Sequence, residues 1–272
     1  MDHTLRARAV PAGAPTFSAE AYERHVGRYA PELATAMIEL VGVEPGHRAL
    51  DVGCGPGALT RGLVDLLGPG SVAAVDPSEP FVEVCRARTA GADVRVARAE
   101  ELPFADGEFD VVLAQLVVQR MSDAPRGVGE MRRVANPGGT VAACTWDFAS
   151  GMTMMRTFWD AAVALDAEGA ARFGAGAPMP YCEPHELGEL WRAAGLVQVE
   201  LGQLLAGTDY HDFDDFWSSF LGGVGGSGAY VASLGDAQRK ALRDEVRRRL
   251  DSPKGSFRLT ARAWYVRGLA PD

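Results

Sequence analysis

Short apolar runs alternate with segments of helical spacing over the first half of the chain. The strand-like runs are residues 49–52, 71–75, 94–97, 109–118 and 140–146. The fourth run is almost unbroken, which is typical of a parallel strand that is buried on both faces. Strands that alternate with helices favour an α/β fold with a doubly wound parallel sheet and right-handed crossovers.

Helical spacing also covers residues 18–41, where we predict a helix that is broken at Pro31. After Trp146 the regular alternation ends. The later stretches with helical spacing are 151–171, 186–194 and 237–250, and those that alternate like strands are 196–205 and 258–266.

A glycine-rich turn joins the first strand to the first helix. Asp51 ends the strand, and Gly53, Gly55 and Gly57 follow at alternate positions. Glycine adopts positive φ angles freely and lets a ligand lie against bare backbone. The amide groups at the start of the next helix would point towards that ligand.

Two classes of ligand use such a turn. Gly53, Gly55 and Ala58 satisfy the permissive dinucleotide fingerprint, and Asp76 lies about 20 residues further on, where an acid binds the ribose. The carboxylate of Asp51 favours the other class, because it would face the doubly negative pyrophosphate of a dinucleotide. A ligand with an ammonium and a sulfonium group, such as S-adenosylmethionine, suits that carboxylate better.

Three motifs in order resemble class I S-adenosylmethionine-dependent methyltransferases, in particular their small-molecule type 11 branch. The matching stretches are the glycine turn at residues 50–57, the stretch 99–112, and the arginine-valine and proline-glycine-glycine stretch 132–139. The resemblance implies a mostly parallel seven-stranded Rossmann-like sheet that is closed by an antiparallel sixth and seventh strand. It also implies S-adenosyl-L-methionine as the cofactor.

By the same resemblance, twelve residues are expected to bind the cofactor. They are Asp51, Gly53, Cys54, Gly55, Gly57, Asp76, Pro77, Ala99, Glu100, Gln115, Tyr22 and Tyr29. Asp76 would accept hydrogen bonds from both ribose hydroxyls, and an aromatic residue of the N-terminal helix, Tyr22 or Tyr29, would close over the cofactor. The polar side chain of Gln115 needs a partner in its buried run, either neighbouring backbone or the methionine end of the cofactor.

The chain departs from the family pattern at three positions. Arg98 replaces the acid that contacts the adenine amino group in relatives, so the backbone of Ala99 or the side chain of Glu100 would take that place. Gln119 and Arg120 replace a histidine pair that faces the substrate in relatives. Glutamine cannot move protons, so no general base is expected at position 119, and we assign no catalytic residue.

The resemblance also predicts how the chain is divided. The predicted parts are a flexible lead-in (1–16), a cofactor-binding core with an N-terminal helical cover (17–146), a lid insertion (147–182), a core segment with a helix and the sixth strand (183–208), a second lid insertion (209–253) and a final core segment with the seventh strand (254–272). We call residues 147–182 and 209–253 the lid segments. Loops and insertions at this edge of a sheet commonly select substrates.

Composition limits the partners of the protein. The 272 residues carry a formal net charge of −9, which argues against a broad surface for nucleic acid. No apolar run is long enough to span a bilayer, and the four scattered cysteines suggest reduced thiols. We therefore expect a cytoplasmic protein with a small-molecule substrate, without nucleic acid or membrane as a partner and without a prediction of oligomeric state.

The lid segments are rich in large apolar residues. This set comprises Met152, Met154, Met155, Phe158, Trp159, Phe213, Phe216, Trp217 and Phe220. They form either a small core of their own or a pocket for an apolar or aromatic acceptor. Cys182 and His185 have a spacing compatible with a metal but no second pair to complete a tetrahedral site, so we expect no metal. His185 and His211 are the only lid histidines, and the sequence places neither in the pocket.

Three functions remain in competition. The first is a methyltransferase that acts on a small molecule. The second is a protein that binds the adenosyl ligand without turnover, in keeping with the replacements at Arg98, Gln119 and Arg120. The third is a nicotinamide-dependent oxidoreductase, against which Asp51 and the two later motifs argue.

Overall fold

A seven-stranded sheet forms the centre of the computed structural model, which describes residues 18–272. The strands are β1 (Ala49–Val52), β2 (Val72–Asp76), β3 (Asp93–Val96), β4 (Phe109–Gln115), β5 (Ala135–Trp146), β6 (Val197–Tyr210) and β7 (Phe257–Leu269). They lie in the order β3-β2-β1-β4-β5-β7-β6. The predicted α/β fold with a mostly parallel seven-stranded sheet is confirmed. The predicted lead-in, residues 1–16, lies outside the described part of the chain.

Strand direction differs from the prediction at one edge of the sheet. The first five strands pair in parallel, while β7 pairs antiparallel with both β5 and β6. Therefore β6 runs in the same direction as β1 to β5, and β7 alone runs against the rest. The expectation of two strands antiparallel to the core was wrong for β6, which also continues five residues beyond the predicted end at Leu205.

The helices lie between and beyond these strands. They are α1 (Ala19–Arg24), α2 (Ala30–Val41), α3 (Ala58–Leu67), α4 (Glu79–Arg88), α5 (Ala124–Val134), α6 (Thr153–Leu165), α7 (Ala167–Arg172), α8 (Pro184–Ala193), α9 (Phe213–Ser218), α10 (Gly225–Ser233) and α11 (Asp236–Arg249). None of these helices combines the length and the apolar character that crossing a bilayer would require, a finding that extends to residues 18–272 only.

The loop between β3 and β4 contains no helix, so the predicted alternation of five strands with helices was wrong at this connection. One side chain of α5 fixes the loop instead. The guanidinium of Arg133 donates to the carbonyl oxygens of Leu102 (3.0 Å) and Phe104 (2.9 Å) and pairs with Asp106 at 2.7 Å. The side chains of Leu102 and Phe104 are buried in the core. Leu102 and Phe104 of the second motif and Arg133 of the third therefore have a structural role.

The N-terminal helical stretch is broken earlier than predicted. We call residues 18–41 the cover segment. It consists of α1, a 3₁₀ turn at Val26–Tyr29 and α2, with the break at His25. Pro31 lies in the first turn of α2, where a backbone N–H has no partner within the helix, so proline is tolerated there. The predicted break at Pro31 was wrong for this reason.

The lid segments form helices α6, α7, α9, α10 and α11 around a shared aromatic cluster. Phe158 and Phe220 stack with their ring centroids 4.4 Å apart, and Phe216 meets Phe220 at 5.4 Å. All three rings are fully buried and belong to the same core cluster as Leu33 and Met37 of the cover segment. The large lid side chains thus pack mainly on one another and on the cover segment.

Candidate cofactor site

The glycine turn lies where the order of the strands reverses. From β1 the chain crosses to β2 and β3 on one side and then returns to β4 and β5 on the other. In open α/β sheets, ligands bind at this switch point, beyond the carboxyl ends of the strands. Gly53, Gly55 and Gly57 all have positive φ angles, of 79°, 52° and 94°, and Gly57 caps the start of α3. The predicted strand, turn and helix are present here.

The three glycines face different surroundings. A Cβ atom at Gly53 would lie 2.4 Å from a methyl group of Val117, and one at Gly57 would lie 2.8 Å from the sulfur of Cys85. These two positions are closed by neighbouring side chains. A Cβ atom at Gly55 would meet nothing within 4 Å. Gly55 is therefore the glycine of the turn that faces open space, as a position approached by a ligand should.

We expect Gly55→Val to weaken the binding of S-adenosylhomocysteine by at least roughly tenfold, because the side chain would occupy that space and a β-branched residue tolerates positive φ poorly. Calorimetry would measure the affinity. Gly46→Val is a matched control, since Gly46 also has a positive φ of 100° and nothing within 4 Å of a Cβ atom, but precedes β1. Equal affinity in Gly55→Val and the wild type would contradict this placement of the ligand.

Cys54 is the one residue of the turn whose side chain points away from this space. Its buried thiol packs with Val82 and Cys85 of α4 and with Ala74 of β2. Its backbone N–H donates to the carbonyl oxygen of Val75 at 2.9 Å. Any contact of Cys54 with a ligand would thus come from its backbone.

Asp51 is fully buried at the end of β1. One carboxyl oxygen, Oδ2, accepts a hydrogen bond of 2.6 Å from the hydroxyl of Thr60 on α3. The other, Oδ1, has no partner among the described residues. Burial raises the pKa of this carboxyl to about 7. A buried acid with one unpaired oxygen is suited to a positively charged ligand group, which would stabilise its ionised form.

Asp76 ends β2 and connects the two sides of the site. Its Oδ2 accepts from the backbone N–H of Gly55 at 2.9 Å, and its Oδ1 accepts from the N–H of Ser78 at 2.8 Å. Burial raises the pKa of this carboxyl, and these two hydrogen bonds partly offset that effect. Each oxygen retains a lone pair, so the carboxylate can still accept from two ribose hydroxyls. Pro77 follows it and is exposed.

Of the residues predicted to lie near the adenine, Glu100 also has a structural role. Ala99 is buried at the end of the β3 loop, beside α5. Glu100 accepts hydrogen bonds from the backbone N–H and the hydroxyl of Ser122, both at 2.7 Å, and from the N–H of Asp123 at 3.1 Å. All three reach the same oxygen, Oε1, so Glu100 fixes the start of α5, and only Oε2 remains for a ligand. Arg98 is exposed.

Gln115 lies at the carboxyl end of β4. Its amide nitrogen donates to the carbonyl oxygen of Ala30 in the cover segment at 3.2 Å. Its amide oxygen, Oε1, is buried and has no partner among the described residues. Of the two predicted partners, backbone therefore satisfies the nitrogen, and the oxygen is left for a ligand donor such as an ammonium group.

The two predicted aromatic residues of the cover segment lie in different places. Tyr22 lies against Phe81 of α4, with ring centroids 5.9 Å apart, on the side of the sheet that carries the glycine turn. Tyr29 is fully buried, and its hydroxyl is 3.2 Å from that of Tyr210 at the end of β6. Its ring meets Trp146 edge-on at the end of β5. Tyr29 therefore lies at the ends of β5 and β6, and its hydroxyl already has a partner in Tyr210.

The cover segment is held over the site from both sides. Glu23 pairs with Arg88 of α4, and the same guanidinium donates to the carbonyl oxygen of Pro56 in the glycine turn at 3.3 Å. On the lid side, Nε2 of His25 lies 3.0 Å from the hydroxyl of Ser227 on α10. The sequence analysis missed His25, although its place three residues after Tyr22 on the cover segment was a usable signal.

Metal ligation has no support in the described part of the chain. Residues 18–272 contain no group of three or more His, Cys, Asp or Glu side chains arranged to hold an ion. Cys182 is buried, and burial raises the pKa of its thiol to about 12.

Comparison with known proteins finds methyltransferases that are similar to parts of this chain. Residues 50–143 match the family model described as a methyltransferase domain. The ubiquinone/menaquinone biosynthesis C-methyltransferase UbiE of Cupriavidus taiwanensis is 36% identical over 109 residues, which are 38% of this chain and 45% of that protein. The chain thus spans less than half the length of the curated relatives that it matches.

Solved structures extend the likeness to nearly the whole chain. Phosphoethanolamine N-methyltransferase 2 of Haemonchus contortus, in complex with S-adenosyl-L-methionine, has a TM-score of 0.57 at 16% identity and covers 93% of this chain and 57% of its own. The YcgJ protein of a Bacillus species has a TM-score of 0.55 at 17% identity and covers 90% and 99%. At these identities the likeness shows the fold.

Proposed function

We propose that the chain is a class I S-adenosylmethionine-dependent methyltransferase, which binds S-adenosyl-L-methionine at the glycine turn and transfers the methyl group to a small-molecule acceptor. The acceptor is an apolar or aromatic molecule that binds between the cover segment and the lid segments. The bound cofactor would supply an electrophilic methyl carbon on a sulfonium.

The observation that carries this proposal is the fully buried carboxyl of Asp51 with its unpaired Oδ1. A pyrophosphate at this place would bring like charges together, whereas an ammonium or sulfonium group lowers the energy of the carboxylate. Gln115 adds an unpaired amide oxygen at the neighbouring strand end. Both unpaired atoms are acceptors, which suits a ligand end that is cationic and donates hydrogen bonds.

The described residues would act mainly by holding and enclosing the reactants. Asp76 would fix the ribose, and the open face of Gly55 would allow the ligand to approach the backbone. The cover segment, tied to α4 by Glu23 and to α10 by His25, would exclude water from the reacting atoms. Alignment and the exclusion of water can supply most of the rate enhancement when the methyl donor is intrinsically reactive.

Support for an apolar or aromatic acceptor comes from the lid segments and from the curated relatives. Phe158, Phe220 and Tyr230 of the lid segments form one buried aromatic cluster, and Phe220 also meets His25 of the cover segment edge-on. The relatives are named for C-methylation in ubiquinone and menaquinone biosynthesis. A pocket that is mostly apolar with a few polar groups is the usual form of a small-molecule site.

A second candidate is a protein that binds the adenosyl ligand without methyl transfer. It is favoured by Gln119, whose amide nitrogen donates to the carbonyl oxygen of Leu116 at 3.0 Å and which cannot serve as a base. Under this alternative the cofactor site stays intact. Only the measurement of methyl transfer distinguishes it from the first candidate.

The test is a parallel calorimetric titration with S-adenosylmethionine, S-adenosylhomocysteine, NAD and NADP. We expect dissociation constants on the order of micromolar for the two adenosyl ligands, as for ordinary cofactors and substrates, and no heat from the nicotinamide cofactors. A screen of phenolic acceptors with methyl-labelled cofactor would follow. Binding of a nicotinamide cofactor alone would overturn the proposal, and adenosyl binding with no transfer to any acceptor would favour the second candidate.

A further inference from the structure

His25 ends α1 and points into the contact between the cover segment and the lid segments. Its side chain is only 3% exposed. Nε2 lies 3.0 Å from the hydroxyl oxygen of Ser227, and the ring meets Phe220 edge-on with centroids 5.5 Å apart. The second ring nitrogen, Nδ1, is buried and has no partner among residues 18–272. A buried polar atom without a partner is uncommon and needs an explanation, such as a catalytic or binding role.

The surroundings of Ser227 determine which ring nitrogen carries the hydrogen. The hydroxyl of Ser227 lies 3.5 Å from the carbonyl oxygen of Val224, which can only accept. We assign the ring hydrogen to Nε2, because in this tautomer the single hydrogen of the hydroxyl can point to Val224 while the oxygen of Ser227 accepts from Nε2–H of His25, and no buried N–H is left without an acceptor. Nδ1 of His25 then carries a lone pair and no hydrogen.

Charge and burial keep the ring in this neutral form. Burial lowers the pKa of His25 to about 4, and the positive charge of Arg120 lowers it further. Arg120 is the charged group that faces the ring from the turn after β4, while Ser227 and Phe220 approach it from the lid segments. In the assigned tautomer, Nδ1 of the neutral ring is a hydrogen-bond acceptor at neutral pH.

The position of His25 matches that of an acceptor-binding residue. Tyr22, one turn earlier, packs against Phe81 of α4, and Gln115 donates to the backbone carbonyl of Ala30 a few residues later. The cover segment therefore passes from the cofactor side to the ends of β4 and β5, with His25 between them.

We propose that His25 is a specificity-determining residue whose Nδ1 accepts a hydrogen bond from the hydroxyl or N–H group that receives the methyl. This inference rests on the proposed function. The bond directs the hydrogen of that group towards Nδ1 and leaves a lone pair of the attacking atom free to face the methyl carbon. On methylation, the group would lose this hydrogen as a proton to Nδ1, and the low pKa of the ring would favour its release to solvent. The substrate class is therefore phenols, alcohols or amines, and molecules whose reacting atom carries no hydrogen would bind worse.

The first test is nitrogen NMR of histidine-labelled protein loaded with S-adenosylhomocysteine. In the spectrum without an acceptor, we expect His25 as the Nε2–H tautomer with an unprotonated Nδ1. Addition of phenol should shift the Nδ1 resonance, and addition of anisole, which has no hydroxyl, should not. His47 is an internal control, because its Nδ1 already accepts from the backbone N–H of Glu44 at 3.2 Å.

Two variants separate binding from a purely structural role. His25→Asn places an amide oxygen near the position of Nδ1, whereas His25→Gln places its amide near Nε2 and keeps only the contact with Ser227. We expect His25→Gln to weaken the binding of phenol by roughly tenfold, the loss of one hydrogen bond of ordinary strength, and His25→Asn to retain most of it. The reverse order, or equal losses in both, would show that His25 only joins the two segments and would overturn the inference.

The outcomes also distinguish this inference from the proposed function. If the wild type does not bind S-adenosylhomocysteine, the proposed function itself is wrong. If the wild type binds S-adenosylhomocysteine, the cofactor site stands. If the Nδ1 resonance of His25 then does not shift with phenol, or shifts equally with anisole, only the role of His25 is refuted. A protonated Nδ1 in the free protein would refute that role as well.

Discussion

The variant Asp76→Ala is expected to bind S-adenosylhomocysteine at least roughly 100-fold more weakly than the wild type. The ribose would lose a charged acceptor for two hydroxyls, and hydrogen bonds to charged groups each contribute about 1.5–3 kcal/mol. The glycine turn would also lose its support, because the N–H of Gly55 donates to the same carboxylate at 2.9 Å. Calorimetry would give the affinity, and thermal unfolding would show whether the variant is folded.

Two controls make this result specific. Glu79→Ala removes another acid three residues later, on the exposed first turn of α4, and should leave the affinity unchanged. Asp76→Asn keeps one acceptor oxygen but replaces the other by a donor, so its affinity should lie between those of the wild type and Asp76→Ala. A folded Asp76→Ala protein with an affinity within about threefold of the wild type, a difference of well under 1.4 kcal/mol, would refute the ribose site.

Asp76 both supports the glycine turn and is placed to bind the ribose, which explains why the glycine-turn motif predicted the local arrangement. A strand end, a short glycine turn and a helix start are fixed by residues close in sequence, so the spacing of Gly53, Gly55 and Asp76 specified their arrangement. Positive φ angles at the glycines and the burial of the strands follow from the same short stretch. These are the parts of the site that the sequence predicted in position.

Residues whose surroundings come from distant segments were harder to predict. Tyr29 and Tyr22 lie on the same amphipathic stretch, and only the packing against Tyr210, 181 positions away, shows that Tyr29 belongs to the core. His25 depends in the same way on Ser227, 202 positions away. A helical stripe predicts that a side chain is buried, but not which neighbour buries it.

The fold shows the same limit. The alternation of apolar runs predicted the strands and the doubly wound sheet, since each run reflects its own burial. It contained no information on the direction of β6, which is set by pairing with β7 over a register from Val197 to Tyr210. The absence of a helix before β4 depends on Arg133 of α5, which fixes the loop at Leu102 and Phe104.

The unpaired oxygen of Asp51 connects the stability of the protein with its affinity for a cationic ligand. The pKa of this carboxyl is raised by burial from 3.8 to about 7, so the folded protein binds the proton more tightly than the unfolded chain. The stability that this proton contributes is complete below pH 3.8 and is lost as the pH rises through about 7. A rise of about 3 units corresponds to about 4 kcal/mol. A bound ammonium and sulfonium would offset this loss by stabilising the carboxylate.

Asp51→Asn is therefore expected to act in opposite directions on stability and binding. At pH 8 the variant should unfold at a higher temperature than the wild type, because it buries no ionisable carboxyl, while its amide oxygen can still accept from Thr60. Its affinity for S-adenosylmethionine should fall by roughly 10- to 100-fold, about 1.4–2.7 kcal/mol. Thermal unfolding and calorimetry between pH 6 and pH 8 would measure both effects.

The pH dependence identifies the charge on Asp51 as the cause. In the wild type, the affinity for S-adenosylmethionine should rise from pH 6 to pH 8, because binding releases a proton. Calorimetry in buffers of different ionisation enthalpy would detect that proton. In Asp51→Asn the affinity should not rise. Asp110→Asn alters an acid at the start of β4, at the opposite end of that strand from Gln115. This variant should keep the pH dependence of the wild type. An affinity that is equally independent of pH in the wild type and in Asp51→Asn would mean that Asp51 does not sense the ligand, and the choice of a cationic cofactor over a dinucleotide would lose its main physical support.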